Sequence, residues 1–180
     1  MVIDMIKVVQ FLNQVQAGLG GDEKMNLSPS AQMGGVGLGM LLKTNLMRNG
    51  GDIKGTVICG DNYFLDNREK VIEEILTLIK KFNPDVVVCG PALNYKRYGE
   101  CCGYLVEAVE ERLNIPAFAA MAEDSTGKEL FRKKIYIIKT PGRGGIGLND
   151  SLKKIAAFAV KLAKKEAIGT AEQEGYFPRE

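Results

Sequence analysis

The chain has 180 residues, no histidine, and 24 basic against 22 acidic side chains, for a formal net charge of +2. That length suits one core of ordinary size and is short for two, and the near-cancelling charge, with lysines spread along helical faces, offers no electrostatic case for nucleic acid. The longest apolar runs, "IYII" and "VVVC", fall far short of the roughly 18 residues that a membrane span needs.

The amino-terminal "MVIDMIKVVQFLN" mixes acid and base into its apolar run and lacks a small-residue cleavage site, so it reads as a strand rather than a secretory signal, and the protein is expected in the cytoplasm. Its apolar core, "MIKVVQFL", is the first strand, and a long polar loop follows. A helix with a weak pattern, "GLGMLLKTNLMRN", leads to a second strand, "GTVICG". In "NREKVIEEILTLIKKFN" the side chains Val71, Ile72, Ile75, Leu78, Ile79 and Phe82 form one helical stripe, with Lys80 and Lys81 near the carboxyl end and Pro84 as terminator.

The third strand is "DVVVCG"; a helix over "ECCGYLVEAVEERLN" then carries Cys102, Leu105, Val106, Val109 and Leu113 on one stripe, starting near Gly99 or Glu100. "IPAFAAM" and "KKIYIIK" are the fourth and fifth strands. The last helix, "NDSLKKIAAFAVKLAKKE", has Asn149 or Asp150 as capping candidate. Continuous rather than alternating apolar runs mark strands buried on both faces. The order predicts a three-layer, doubly wound α/β sandwich with a mostly parallel sheet of about five strands, Rossmann-like or flavodoxin-like. Residues 1–168 read as a single α/β domain and 169–180, "GTAEQEGYFPRE", as an exposed tail or a linker to a missing carboxyl-terminal half.

Without histidine, Ser-His-Asp and Cys-His chemistry within the chain is excluded. The four cysteines include no C-x-x-C pair, so no metal site is expected, and in a cytoplasmic chain they are read as reduced thiols.

Ligands of such sheets bind outside the carboxyl ends of the strands, near the reversal of strand order, which selects four loops. "NQVQAGLGGDEK" offers Asn13 and Gln14 as polar contacts for a small ligand, or is a surface loop whose glycines permit turning. In "CGDNYF" Asp61 suits an amine and Asn62 a carboxylate; alternatively both form a turn or cap. In "CGPALNYKRYGECCG" Gly90 and Pro91 give a sharp exit from the strand, and Asn94, Arg97 and Tyr98 precede the helix. There Arg97 suits a carboxylate or phosphate, and Cys101 or Cys102 in the first turn would have a lowered pKa. Set against that, Cys102 reads as a small core residue on the apolar stripe, with Cys101 open. Finally "TPGRGGIGLND" has glycines and Arg143 suited to an anion, but not the spacing of a phosphate loop; nor does "GGVGLG" follow a strand as a dinucleotide fingerprint does.

Taken in order, "VVQFLNQVQAGLGGDEK", "TVICGDNYF", "CGPALNYKRYG..CG" with a following helix and "IP", and "GTAEQEGYFPRE" resemble the amino-terminal half of the selenoprotein B component of glycine reductase and its sarcosine and betaine reductase relatives. The resemblance covers nearly the whole chain. It implies an amine substrate bound as a Schiff base on a pyruvoyl group of a partner subunit, and reductive C–N cleavage by a selenocysteine. It also implies that Asn13, Gln14, Asp61, Asn62, Asn94, Arg97, Tyr98 and Cys101 are candidates for lining the substrate site or a subunit interface. The family's selenocysteine motif belongs to its carboxyl-terminal half and has no counterpart here. Pyruvoyl and selenocysteine are therefore expected on a partner subunit or the missing half, with no cofactor in this chain and no C–N cleavage by it alone. Beside the position of Cys102 the family usually has a residue of another kind than cysteine, which makes Cys101 the departure, and neighbouring cysteines make strained disulfides. The alternative reading is a stand-alone, non-catalytic α/β module that binds a small amino-acid-like or anionic metabolite.

Overall fold

The computed structural model describes residues 4–93, 96–142 and 144–180. A six-stranded sheet has the order β2-β3-β1-β4-β5-β6. Five of its strands match the predicted apolar runs: β1 (Ile6–Leu12), β3 (Gly51–Ile58), β4 (Val86–Ala92), β5 (Ala117–Ala122) and β6 (Ile137–Thr140). These five pair in parallel. The sixth, β2 (Ser30–Met33), was not predicted: it pairs antiparallel with β3 at the sheet's edge, and its four mostly exposed residues carry no apolar pattern for a sequence reading to find.

Helices cover both faces. Helix α1 (Gly39–Arg48) and α6 (Leu148–Ala163) lie on one side, where Leu42, Leu46, Leu152, Ile155 and Phe158 pack on Val8, Val86, Val88 and Phe118. On the other side α2 (Asp61–Asp66), α3 (Arg68–Lys80), α4 (Lys96–Ala108) and α5 (Thr126–Phe131) cover Val9, Phe11, Val57, Val87 and Ala119. Each of the five parallel strands therefore meets apolar side chains above and below, the condition that continuous Val/Ile runs satisfy. The stripe of α3 is buried at Val71, Ile72, Ile75, Leu76 and Ile79, with Leu78 and Phe82 partly covered at its margin. Full burial of one such side chain stabilises by about 1.5–3 kcal/mol.

Four sequence expectations are corrected. Helix α4 begins at Lys96, a turn earlier than read, and closes in a π-helical turn over Val109–Leu113 that ends at left-handed Asn114. Neither Asn149 nor Asp150 caps α6: the N-cap is Gly147, at φ 100°. Pro91 does not leave the sheet, since β4 continues to Ala92 past a break in register with β5. Within β1, Gln10 spans to this irregular turn and donates its Nε2 to the Gly90 carbonyl at 2.9 Å.

The fourth concerns residues 169–180, which are docked rather than exposed. Helix α7 (Ala171–Glu174) opens with a capping box between Thr170 and Gln173. Lys139 N–H then donates to the Gly175 carbonyl, and Phe177 N–H to the Ile137 carbonyl, so the segment pairs along the edge of β6. Phe177 is only 4% exposed. Sheet edges left bare invite association with other chains, and this segment covers one of them.

Candidate functional site

The parallel strands, renumbered among themselves, run 2-1-3-4-5, with the order reversing between β1 and β4. The loops leaving β1, β3 and β4 meet over that point. At the end of β1, Asn13 accepts from the Gln16 N–H on its side-chain oxygen at 2.9 Å and from the Ala17 N–H on its carbonyl, which turns the chain off the sheet. Its Nδ2 is left to donate to Asp61 Oδ2 at 2.9 Å. Gln14 engages Asp61 twice, donating from Nε2 to Oδ2 at 3.3 Å and accepting the Asp61 N–H on Oε1 at 3.1 Å.

Asp61, the first residue of α2, is 2% exposed. Its other oxygen, Oδ1, accepts from Arg97 Nε at 2.8 Å. Arg97 in turn donates from Nη2 to Asp22 Oδ1 at 2.9 Å, and its side chain remains 40% exposed while that of Asp22 is 82% exposed. A carboxylate removed from water must be paired and hydrogen-bonded, and here both oxygens are. The hydrogen bond to Asp61, ahead of the charge attractions, raises the pKa of Arg97 further, so the guanidinium stays cationic. Asp61 therefore holds Arg97, and Arg97 presents part of its donor fork to solvent. The expectation that Asp61 itself meets an amine is corrected, because both its oxygens already have internal donors and almost none of its surface is open.

The remaining predicted residues divide. Tyr98 is fully buried and donates its hydroxyl to the Phe11 carbonyl of β1 at 2.6 Å, locking α4 to the central strand. Asn62 faces away from the network and donates to Asn26 at 2.7 Å and to Asp66 at 3.1 Å. Asn94 and Arg143 lie outside the described residues. Cys101 and Cys102 are both fully buried, and burial, the largest cause, pushes both thiols well above their ordinary pKa. The lowered pKa expected for them fails because α4 starts at Lys96, which places them in its second turn, under α2. There the Cys101 thiol donates to the Asp61 carbonyl at 3.5 Å. Cys102 takes its expected place in the core.

Two contributors escaped the sequence reading. Asp22 lies within the glycine-rich loop already singled out, but nothing in its neighbours distinguishes it from Glu23; only the fold brings it to Arg97. The Met25 carbonyl accepts from the Asn62 and Tyr63 N–H groups and so caps α2 by backbone alone, which leaves no side-chain signature. Among the described residues no group of three or more His, Cys, Asp or Glu is placed to hold a metal ion.

This topology, with a polar network over the reversal of strand order, is that of a flavodoxin-like α/β sandwich. The sequence model of the glycine/sarcosine/betaine reductase selenoprotein B family matches residues 5–180, and the chain belongs to that family. It is 45% identical over 173 residues to the glycine reductase complex component B subunit gamma of Carboxydothermus hydrogenoformans, covering 96% of this chain and 39% of that protein. It is 43% identical to the sarcosine reductase complex component B subunit beta of Peptoclostridium acidaminophilum (95% and 39% covered) and 31% identical to the betaine reductase complex component B subunit beta of the same organism (97% and 39%). The chain thus spans about two fifths of the length of these relatives. No solved structure matches it. Among the described residues no helix is long and apolar enough to cross a membrane.

Proposed function

We propose that this chain is the α/β part of a glycine, sarcosine or betaine reductase component B, and that it works in the cytoplasm as the substrate-binding and subunit-docking half of a reductive C–N cleavage. The pyruvoyl group and the selenocysteine that supply the chemistry belong to a partner subunit and to the rest of the protein. Within this chain Arg97 receives the substrate's carboxylate, Asp61 fixes the guanidinium from beneath, and Asn13 and Gln14 fix Asp61. The substrate's nitrogen is then left pointing out toward the partner. One observation carries the reading: a buried carboxylate, fully paired, anchors a partly exposed arginine over the reversal of strand order, where ligands of such sheets bind. The family membership supports the reaction class.

The test is reconstitution with the pyruvoyl subunit and the selenocysteine-bearing remainder. With a dithiol supplied as reductant, the chain alone is expected to release no ammonia from glycine, methylamine from sarcosine or trimethylamine from betaine, and the assembled complex to release one of these amines from its substrate. In the complex Arg97→Ala is expected to raise KM about 10- to 100-fold, the loss of charged hydrogen bonds. Unchanged KM would remove Arg97 from the binding role. A second reading, a stand-alone module that binds an amino-acid-like or anionic metabolite, rests on the network being complete within these residues. Calorimetric binding of glycine by the isolated chain, with no capture of the pyruvoyl subunit, would favour it.

A further inference from the structure

Arg97 is held by two carboxylates of opposite character. Asp61 is almost fully buried and is itself anchored by Asn13 and Gln14. The Asp22 side chain is 82% exposed, and Arg97 Nη2, at 2.9 Å, is its one hydrogen-bond partner among the described residues. Asp22 opens a single 3-10 turn, Asp22–Lys24, in which no residue is buried. That turn is fastened by short-range bonds of its own: the Gly21 N–H donates to Glu23 Oε1 at 2.9 Å, and the Met25 N–H to the Asp22 carbonyl at 3.1 Å. The chain enters it through Gly18 and Gly20, at φ 77° and 147°. The Asp22 carboxylate can therefore leave Arg97 without opening the core, whereas Asp61 cannot.

A carboxylate binds a guanidinium best through two parallel N–H groups on one edge. Nε is committed to Asp61, so the edge left for a ligand is formed by Nη1, which has no partner among the described residues, and by Nη2, which Asp22 holds. A ligand carboxylate on that edge must take the place of Asp22 or sit beside its negative charge, and in either case Asp22 opposes it. We propose that Asp22 is a gate on Arg97: its carboxylate occupies the ligand's place at Nη2 until a ligand carboxylate displaces it and residues 18–24 draw back. This rests on the reading of Arg97 as the group that receives the substrate's carboxylate, and adds that the two acids act in opposite directions. Asp61 strengthens binding by fixing the guanidinium, and Asp22 weakens it by competing. An exposed ion pair is weak enough for a bidentate ligand to replace.

The test is kinetic, in the reconstituted complex with a dithiol as reductant, on whichever of glycine, sarcosine and betaine it cleaves. Acetate serves as a competing carboxylate that carries no amine. Asp22→Asn is expected to lower KM and the inhibition constant of acetate alike, by about two- to fivefold, the range open to an exposed ion pair. Asp22→Glu keeps the charge and is expected to stay closer to the parent. A merely structural role moves both constants the other way, because a loosened site binds less well. A raised KM with an unchanged acetate constant would mean that Asp22 meets the substrate's nitrogen, and would overturn the gate. So would a rise in both constants, or no change in either. In those cases a raised KM for Arg97→Ala still upholds the reading of Arg97; an unchanged KM for Arg97→Ala would sink that reading and the gate together.

Discussion

At the scale of single residues, the central question is what the Asp61–Arg97 pair contributes. Because Arg97 is partly exposed, the pair's attraction is screened, and its value lies in satisfying the buried carboxylate. Asp61→Asn keeps the shape but replaces an acceptor with a donor against Asn13, Gln14 or Arg97, and is expected to cost about 1–3 kcal/mol in urea denaturation. Asp22→Asn, at an exposed partner, is expected to change stability by less than about 0.5 kcal/mol; a loss comparable with that of Asp61→Asn would mean the outer contact matters as much as the inner one. The four thiols are all buried, and burial, the leading cause, pushes Cys59 up to about 12 and Cys89 higher. None is expected to react with a thiol reagent at pH 8 in the folded chain, and all four should react once it is unfolded. Rapid labelling of Cys101 in the native protein would contradict its place under α2.

At the scale of elements, α2 shows how the loop after β1 is fastened. Gly60 donates to the Leu27 carbonyl at 2.8 Å, and a Cβ on Gly60 would run into the Met25 carbonyl oxygen that caps α2. Main chain stands on the other side of that contact, so it has nowhere to yield. Gly60→Ala is accordingly expected to displace residues 25–27, to cost about 2 kcal/mol or more in thermal or urea unfolding, and to loosen the Asp61 network, whereas Gly18→Ala meets open space and suffers only its left-handed φ. Helices α3 and α6 and the five parallel strands were legible because their apolar side chains repeat at the helical period or run continuously through a doubly covered sheet. Helices α2 and α5 were not, because six residues are too few to show a period. The start of α4 was misplaced because its first two residues, Lys96 and Arg97, are polar and lie off the buried stripe, which the turn joins only at Tyr98.

At the scale of the whole molecule, the docked carboxyl-terminal segment and the shared core set the stability. Phe177→Ala removes a ring buried at the edge of β6 and is expected to cost about 3 kcal/mol by urea denaturation. A cost below about 1 kcal/mol would mean the segment frays in solution. The buried thiols also give stability a pH dependence. Their folded pKa values lie above the unfolded value near 8.5, so the native state retains protons that the unfolded chain releases. Their contribution is full below that unfolded value and declines as pH rises past it toward the folded values. The urea midpoint is expected to hold between pH 6.5 and 8, as far as the thiols decide it, and to fall from about pH 9 upward; a midpoint that rose there would contradict thiol burial.

By its residues alone the sequence determined the layered α/β architecture, five of the strands, the principal helices and the loops in which the site would lie, because apolar period and strand-end placement are local properties of the chain. The resemblance in its motifs reached the family as well. Only the tertiary structure decided which polar residues act together. It joined Asn13, Gln14, Asp22, Asp61 and Arg97 from the loop after β1 and the starts of α2 and α4 into one network, gave Asn62 other partners, buried Tyr98 and both cysteines, and laid residues 175–177 along β6. Hydrogen-bond partners far apart in sequence are chosen by the packing of the strands and helices that carry them, and no spacing along the chain records that choice.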